Sequence, residues 1–501
     1  MSRHLLIWCV LAFVVSDFGC GDGRVTNRTL IPQIDERGPY LIVATEQAAK
    51  SYQEAIEIAK SIHPQAISVT IDCARPNTWL KWLRKYTPRY GLVFILPTEF
   101  DTNFAWRWMK ISTQIDDDPF VDVRCGFITG ETPHAAKSFM SRIRDAVRGE
   151  ISLPPALVDN LGPNVSAKDT MFRKQNKSFF LPVYAEQLRV STISHGRRGF
   201  SKERLSSMAG AGIVHFGGHG YPDRVVNCLN GPYARRLALD PCVIFSGACY
   251  TGVTGRWFDI NGPKVTEKHV ELDKCFCLSM LSNNVLAYLA APHPDHGIPV
   301  YQEMEHLAVT GATLGDLIKH THDGVVLASG GQVPQFVTFK DGMARPAWTS
   351  SDFMLVGTAS RVLFGDPSMR IIDSFAESPF ELSVTETQEN SLTVKAEFNN
   401  PDLRSTYTDT YFADLSANKK QFNDCARLQI PLPEGCKGPL KVDNVNVSSG
   451  GETLKHRLVG YAIEHDGKQS TLHVQIDVGT KGYMKSKLRK RDATVRFRVT
   501  W

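Results

Sequence analysis

The first 150 residues alternate short apolar runs with stretches of helical spacing. Four apolar runs have the length and composition of buried strands: residues 40–44, 67–71, 90–97 and 122–129. Three stretches between or after them repeat apolar residues every three or four positions, as amphipathic helices do: residues 51–61, 78–86 and 133–147. Because strand and helix alternate, we predict a parallel sheet with helices on its faces, in an N-terminal α/β subdomain over residues 25–150.

A second α/β unit is predicted further along the chain, after a stretch of little periodicity. Residues 151–199 carry prolines and polar residues, so we predict a connector there. Residues 200–376 again contain strand-like runs and helical spacing, and we assign them to a second α/β subdomain. From residue 378 the apolar positions recur every second residue, and Asp466-Gly467 is a strong hairpin signal. We therefore predict a compact all-β sandwich over residues 378–501.

Two segments of the second unit end a β-branched, apolar run at a reactive side chain bordered by glycine. The segment IVHFGGHG (residues 213–220) leads to His219, and VIFSGACYTG (residues 243–252) leads to Cys249. In α/β sheets, ligands and chemistry collect where parallel strands end. A thiolate is a nucleophile and a neighbouring imidazole can take its proton, so the pair predicts covalent acyl transfer. We expect Gly220 to let the chain approach a substrate carbonyl, with the backbone amides of Gly220 and Cys249 as oxyanion donors.

A second histidine in the first segment raises two alternatives. His215 lies within the strand, where alternation places it inside the protein or on a sheet face, and we interpret it as structural. His215, His219 and Cys249 could instead bind zinc together. A four-residue histidine spacing converges on a helix, however, whereas this segment has the pattern of a strand and a glycine-rich turn. No CxxC pair accompanies it, so we favour the Cys–His pair over a zinc site.

The composition indicates a protein with more than one core and no nucleic-acid partner. The chain has 501 residues, of which 42% are hydrophobic. Domains typically span about 100–200 residues, so several fit into this length. The formal net charge is +5, and the one dense basic cluster, at residues 485–491, lacks the interleaved aromatic residues of a nucleic-acid surface.

The N-terminus predicts export. A basic residue at position 3 precedes an apolar core at residues 5–15, which is the layout of a signal peptide, assigned here to residues 1–20. Gly19-Cys20 resembles the junction at which bacterial lipoproteins are cleaved, so Cys20 is a candidate lipid anchor. No other apolar stretch reaches about 18 residues, and we predict no transmembrane span. The expected location is secreted, periplasmic or lipid-anchored at the cell surface.

The cysteine count is compatible with one free, reactive thiol. Removing Cys9 and Cys20 from the eleven cysteines leaves nine. An odd number in an exported protein leaves at least one thiol unpaired, and Cys249 would be that thiol. Cys425 and Cys436 are near enough in sequence to form a local disulfide bridge.

Five motifs follow one another along the chain: DDDPFVDVRCG (residues 116–126) with the helix after it, GHG (218–220), ACYTG (248–252), TLGD (313–316) and LFGDPS (363–368). In order and spacing they resemble the gingipain family of the caspase, legumain and gingipain clan of cysteine peptidases. The resemblance spans about residues 40–375 and departs from the family at Phe127, where an arginine often stands.

The resemblance implies a fold, two catalytic residues and a metal. The implied fold class is α/β: a caspase-like parallel-sheet unit of two α/β subdomains, followed by a C-terminal all-β, Ig-like sandwich. His219 would be the general base and Cys249 the nucleophile. No cofactor is required, but members of the family can bind calcium in a structural role, and Asp116, Asp117 and Asp118 would supply the oxygen ligands.

The expected function is that of an exported cysteine endopeptidase acting on a protein or peptide substrate. Asp259, ten residues after Cys249, would either face a basic substrate side chain or be an ordinary surface carboxylate. Two alternatives stay open. One is a catalytically silent relative that uses the fold for surface binding or adhesion, although both members of the pair are present here. The other is a thiol hydrolase or transferase that acts on a non-peptide acyl group.

Overall fold

The computed structural model describes residues 29–161, 181–185, 187–194, 208–225, 229–261, 264–294, 298–333, 337–340, 343–346, 353–378, 380–388, 390–398, 408–409, 423–434, 436, 439–466, 469–477 and 493–501. The expected signal peptide, Cys20 and the basic cluster at residues 485–491 lie outside these residues. Within them, the chain forms one large, mostly parallel sheet, several small sheets and two antiparallel sheets at the C-terminal end.

In the described part of the chain, a ten-stranded sheet forms the centre of the α/β region. Its strands are, from one edge to the other, Ile67–Ile71, Tyr40–Thr45, Tyr90–Phe94, Arg124–Ile128, Val362–Phe364, Val285–Ala290, Cys242–Ser246, Ile213–Phe216, Ala156–Leu161 and Arg189–Ser194. The first four pair in parallel, and so do the last five. Val362–Phe364 joins the two groups, since it pairs with Val285–Ala290 on one side and with Arg124–Ile128 on the other.

Helices accompany the sheet, and polar side chains cap several of their N-termini. The described helices are Glu46–Ser51, Gln53–Ile62, Pro76–Tyr86, Thr102–Ser112, Pro133–Val147, Leu181–Tyr184, Gly231–Ala234, Phe276–Leu281, Ile298–Thr310, Leu314–Ala328 and Phe353–Ala359. Asp101, Thr132 and Thr313 each accept a hydrogen bond from the backbone amide three residues on. These bonds satisfy amides that have no partner within the helix.

The structure differs from the sequence-based expectation over residues 151–199. Instead of an exposed connector, Ala156–Leu161 and Arg189–Ser194 are parallel strands that complete one edge of the large sheet. Nearby prolines and the polar residues within both strands obscured the pattern. Residues 162–180 lie outside the described part of the chain.

The C-terminal region is a β-sandwich, as predicted. One sheet contains Phe380–Gln388, Ser391–Phe398, Thr494–Thr500, Lys441–Ser449 and Glu452–Thr453, and the other contains Thr408–Asp409, Asn423–Pro431, Gln469–Asp477 and Arg457–Asp466. Apolar residues of both sheets, such as Val394 and Val474, share one buried core. The two strands of the predicted hairpin pair antiparallel, with Asp466 opposite Gln469. The fold class expected from the sequence, an α/β unit followed by an all-β sandwich, is confirmed.

The cysteines whose side chains the structure describes carry free thiols: Cys73, Cys125, Cys242, Cys249, Cys275, Cys277 and Cys436. Cys436 is one of them, so the structure does not form the bridge expected between Cys425 and Cys436. The expectation relied on sequence proximity alone, which does not bring two sulfur atoms within bonding distance.

Short hairpins project from the α/β region. Gly220–Tyr221, Arg224–Val225 and Leu229–Asn230 form a small three-stranded sheet, and Arg256–Asn261 pairs with Lys264–His269. The two other described pairs are Gln33–Ile34 with Met369–Arg370 and Val337–Lys340 with Met343–Pro346. Over the described residues, every helix is too short or too polar to cross a bilayer.

The sandwich packs against the α/β unit through the helix Leu314–Ala328. Arg427 of the sandwich donates from Nη2 to the carbonyl of His320 at 2.7 Å. Lys319 lies 2.8 Å from Glu464 of the sandwich. A polar cavity of about 400 Å³ is lined by residues of both regions at this boundary. The contact between the two regions is therefore rich in charged and polar groups.

Candidate active site

The parallel pairing of two neighbouring strands places both predicted reactive residues at one edge of the sheet. Phe216 pairs with Ser246 at the end of their register. His219 and Cys249 each follow that last pair by three positions, so the two loops leave the sheet side by side. The amide of Gly247 extends the ladder by donating to the carbonyl of Phe216 at 2.8 Å.

The two loops touch at Gly220. A β-carbon built on Gly220 would lie 2.2 Å from the carbonyl oxygen of Cys249 and 2.9 Å from the β-carbon of Ala248. Gly218, on the other side of His219, has a φ of 104°, which residues with a β-carbon rarely adopt. The two glycines therefore allow the chain around His219 to lie directly against the chain at Cys249.

Cys249 is half-buried and lies in a tight turn. The next residue, Tyr250, has a φ of 61°, which is the left-handed region that bulky side chains seldom occupy. The turn is tied to the neighbouring strand end: the amide of Tyr250 donates to the carbonyl of His293 at 3.3 Å, and that of Gly252 donates to Ala291 at 3.0 Å. Such a conformation persists only where the surrounding structure holds it.

Hydroxyl groups inside the turn add to these ties. Thr251 Oγ1 donates to the carbonyl of Ala248 at 2.8 Å and lies 2.7 Å from Ser246 Oγ, which then donates to it. The phenol of Tyr288, on the adjacent strand, donates to the carbonyl of Thr251 at 3.1 Å. All four residues are buried, so water does not compete for these hydrogen bonds. The bonds therefore fix the backbone on both sides of Cys249.

The two histidines of the first segment have different surroundings. His219 is exposed at the edge of the sheet, where a substrate could reach it. His215 is 1% exposed, and its Nδ1 lies 2.8 Å from a carboxylate oxygen of buried Asp159. This contact favours the structural interpretation of His215. Among the described residues, no converging group of potential metal ligands includes either histidine or Cys249.

The other α/β-region thiols that the structure describes are poorly suited to act as nucleophiles. Burial raises the pKa of the thiols of Cys73, Cys242 and Cys275 to about 12 in each case. Burial also holds the pKa of Cys125 and of Cys277 well above the ordinary value. Because the thiolate is the reacting form, these residues are protonated at neutral pH and unreactive. Cys73 is half-buried like Cys249, which makes it a matched control.

Aromatic side chains border the two loops. Tyr221, two residues after His219, is 41% exposed. The ring of Tyr250 packs against that of Trp257, with centroids 4.7 Å apart. Asp259 lies in the same hairpin strand as Trp257, but its side chain is outside the described part of the structure. Its predicted contact with a basic substrate side chain stays a prediction.

The acidic segment brings three carboxylates together, and the set differs from the predicted one. Oxygen atoms of Asp116, Asp118 and Asp122 all lie within 4.8 Å of one another, whereas Asp117 is not part of this group. Burial and the charges of Asp116 and Asp118 raise the pKa of Asp122 to about 8. Crowded carboxylates of this kind match the hard oxygen ligands that calcium prefers. Asp122 belongs to the same acidic motif, residues 116–126, so the signal for it was present in the sequence.

Sequence reasoning missed three charged residues beneath the site. Arg361 and Glu303 are both fully buried and pair at 2.8 Å, and Asp159 supports His215. Two of them carried a sequence signal: Arg361 directly precedes an apolar run, and Asp159 interrupts one. A charge in such a position indicates a buried partner, but the sequence does not say which partner.

Comparisons with known proteins give distant structural likenesses only. No family model and no curated protein matches the sequence. One similar structure is the complex of the pro- and mature domains of RgpB from Porphyromonas gingivalis: it is 8% identical, has a TM-score of 0.45, and the match covers 89% of this chain and 94% of that one. A structure of a protease is 9% identical with a TM-score of 0.45, over 92% of this chain and 96% of that one. At these identities the likenesses do not assign the chain to a family.

Proposed function

We propose that this chain is an exported cysteine endopeptidase that cleaves protein or peptide substrates with Cys249 and His219. The observation that carries the proposal is the contact between Gly220 and the carbonyl of Cys249, because it joins the histidine loop to the cysteine loop at one edge of the sheet. A thiol next to an imidazole is the arrangement that acyl transfer by a Cys–His pair requires.

The proposed reaction has two stages. His219 takes the proton of the Cys249 thiol, and the thiolate attacks the carbonyl carbon of the scissile peptide bond. The carbon–nitrogen bond breaks as His219 returns the proton to the departing amine, which leaves a thioester on Cys249. Water, deprotonated by His219, then attacks the thioester; the acid product leaves and the thiol is restored.

The oxyanion of each tetrahedral intermediate would be bound by backbone amides. Those of Gly220 and Cys249 are the candidates, because their chains lie in contact on either side of the site. The glycine also keeps this part of the site free of a side chain. Donors fixed before the reaction stabilise the developing charge without having to reorganise.

A calcium ion is proposed as a structural ligand rather than a reactant. Asp116, Asp118 and Asp122 would hold it, since their oxygen atoms already converge. Such an ion would offset the repulsion between three carboxylates, of which Asp118 is buried. Its contribution would be to fix the loop that carries these residues.

Export remains part of the proposal. It depends on the signal-peptide pattern of residues 1–20, with lipidation at Cys20 as one outcome of processing. Electrophoretic mobility and mass of the mature protein from an expressing cell would decide between cleavage before Cys20 with acylation and simple cleavage. A mature chain that retains residues 1–20 would contradict export by this route.

The proposal is tested by labelling with peptides that carry a thiol-reactive electrophile in place of the scissile bond. A panel with Arg, Lys, Asn or Asp beside the electrophile also surveys substrate preference. We expect one label per chain, on Cys249, no label on Cys249→Ala, and a rate about 10²- to 10⁴-fold lower in His219→Ala because the general base is lost. Cys73→Ala is the matched control and should label like the wild type.

Two outcomes would contradict the peptidase. Labelling that survives Cys249→Ala would remove the proposed nucleophile. Absence of labelling by any peptide would favour a silent binding protein, unless non-peptide acyl esters are hydrolysed in a Cys249-dependent way, which would favour a thiol hydrolase or transferase.

A further inference from the structure

Beneath the candidate active site, two fully buried charged residues form a bidentate pair. Arg361 Nε donates to Glu303 Oε1 and Arg361 Nη2 donates to Glu303 Oε2, each at 2.8 Å. Thr321 Oγ1 also donates to Glu303 Oε1, at 3.0 Å. Burying two charges is costly, and apolar replacement of such a pair is often neutral for stability. The pair is therefore better explained by the positioning of neighbouring groups than by a gain in the stability of the fold.

The pair reaches the strand that leads to the Cys249 turn. Arg361 Nη1 donates to the carbonyl of Ser246 at 2.9 Å, and Ser246 is the last residue of that strand, three positions before Cys249. A guanidinium is planar and its donors have a fixed geometry. Because Glu303 fixes one side of the guanidinium, the position of the Nη1 donor, and with it that of the Ser246 carbonyl, is also fixed.

Ser246 is also linked to the part of the turn that follows Cys249. The hydroxyl of Ser246 lies 2.7 Å from that of Thr251, which in turn donates to the carbonyl of Ala248. Ser246 thus has its carbonyl held by Arg361 and its side chain held by Thr251. The chain entering the Cys249 turn and the chain leaving it are joined in one buried network.

The rest of Arg361 is equally constrained. Its carbonyl accepts a hydrogen bond from Nε2 of His322 at 3.0 Å, and its amide donates to the carbonyl of Thr358 at 3.1 Å. Arg361 therefore connects the helix Leu314–Ala328 to the base of the active site. A lysine at this position would keep the charge but could not serve Glu303 with two donors and Ser246 with a third in the same plane.

We propose that Arg361, oriented by Glu303, is a positioning residue that holds the Cys249 turn from beneath and sets the place of the thiol relative to His219. The inference rests on the proposed function of Cys249. Arg361 does not itself approach the substrate, since it is fully buried. Misplacement of a reacting group by about 1 Å can lower a rate by about 10²-fold, so the effect on chemistry would exceed the effect on binding.

The test compares Arg361→Lys with a matched buried pair elsewhere. Asp366 is fully buried, lies 2.6 Å from Nε2 of His63 and accepts hydrogen bonds from Tyr40 and Ser368, so Asp366→Asn is the control. Three quantities are measured for each: the melting temperature, kcat and KM on a peptide found in the labelling survey, and the rate of Cys249 alkylation by iodoacetamide across pH. For Arg361→Lys we expect kcat and the alkylation rate to fall about 10- to 100-fold with KM within about twofold. For Asp366→Asn we expect a lower melting temperature with both rates unchanged.

The outcomes separate this inference from the proposed function. If no peptide is cleaved, the alkylation rate still reports on the Cys249 turn, so the positioning role is decided without peptidase activity. A folded Arg361→Lys whose alkylation rate and pH profile equal those of the wild type would overturn the inference. Should that variant fail to fold, Thr321→Val replaces it, because it removes the hydrogen bond of Thr321 to Glu303 and leaves the buried charge pair in place. Slower alkylation in Thr321→Val would support the inference, and an unchanged rate would overturn it.

Discussion

Single backbone positions, more than side chains, allow the two reactive loops to meet. Gly220 has no room for a β-carbon beside the carbonyl of Cys249, and Gly218 adopts a positive φ. Tyr250 adopts the left-handed region despite its bulk. The reactive residues therefore depend on neighbours that contribute conformation rather than chemistry.

Gly220→Ala is expected to impair the site by separating the two loops. The added methyl group would lie 2.2 Å from the Cys249 carbonyl oxygen, so one loop must move. We expect a fall of about 10- to 100-fold in the rate of probe labelling at Cys249. Gly210→Ala is the control, because a β-carbon there meets nothing within 4 Å. Equal labelling rates in the two variants would mean that the close contact is irrelevant to the reaction.

At the level of elements, the acidic loop links the α/β unit to the sandwich. Asp118 accepts a hydrogen bond from the amide of His465, in a sandwich strand, at 2.8 Å and another from Phe120 at 2.8 Å. The amide of Val121 donates to Asp323 of the helix Leu314–Ala328 at 3.0 Å. The loop therefore contacts both regions, and any ligand that fixes it also affects how they pack.

Calcium is expected to raise the melting temperature by several degrees when it is present well above its dissociation constant, since a ligand bound only by the folded state stabilises that state. Removal with a chelator should reverse the rise. Asp122→Asn should lose the response because one of the three converging carboxylates is gone, whereas Asp117→Asn should keep it. A calcium response that persists in Asp122→Asn would place the ion elsewhere.

At the level of the whole molecule, the boundary between the two regions contains two half-buried histidines. The rings of His306 and His320 stack with centroids 4.1 Å apart, and His320 Nε2 lies 3.3 Å from Nη1 of Arg427. Burial and the charge of Arg427 lower the pKa of His306 to about 4 and that of His320 well below its ordinary value. The positive charge of Lys319 also lowers the pKa of His320. The carboxylates of Asp316 and Asp323 act in the opposite direction on the pKa of His306, but their effect is smaller than that of burial. Both imidazoles are neutral in the docked structure at neutral pH.

Acid is expected to weaken the docking of the sandwich. A histidine whose pKa is lowered on folding contributes stability above its ordinary pKa of about 6.5, and that contribution is lost as the pH falls toward the folded value. The free energy of unfolding, measured in urea, should therefore fall between pH 6.5 and pH 4. His306→Gln should flatten this slope, whereas His134→Gln, at an exposed position, should leave it unchanged. An unaltered slope in His306→Gln would rule out this histidine as a source of the effect.

Much of the fold could be predicted because it depends on local periodicity. The four N-terminal strands, the strand ends at His219 and Cys249 and the alternating C-terminal region follow from apolar patterns. The strands Ala156–Leu161 and Arg189–Ser194 were missed because polar residues such as Asp159 interrupt their pattern. Their places in the sheet depend on strands that are distant in sequence, and periodicity carries no information about those.

The sequence by itself determined which residues are chemically able to act and where strands end, because both are properties of short segments. It did not determine which residues meet. The contact of Gly220 with Cys249, the replacement of Asp117 by Asp122 in the acidic cluster, and the support of Ser246 by Arg361 join segments from 4 to 115 positions apart. Such contacts arise from strand order and from the packing of helices on the sheet, so only the tertiary structure decided them.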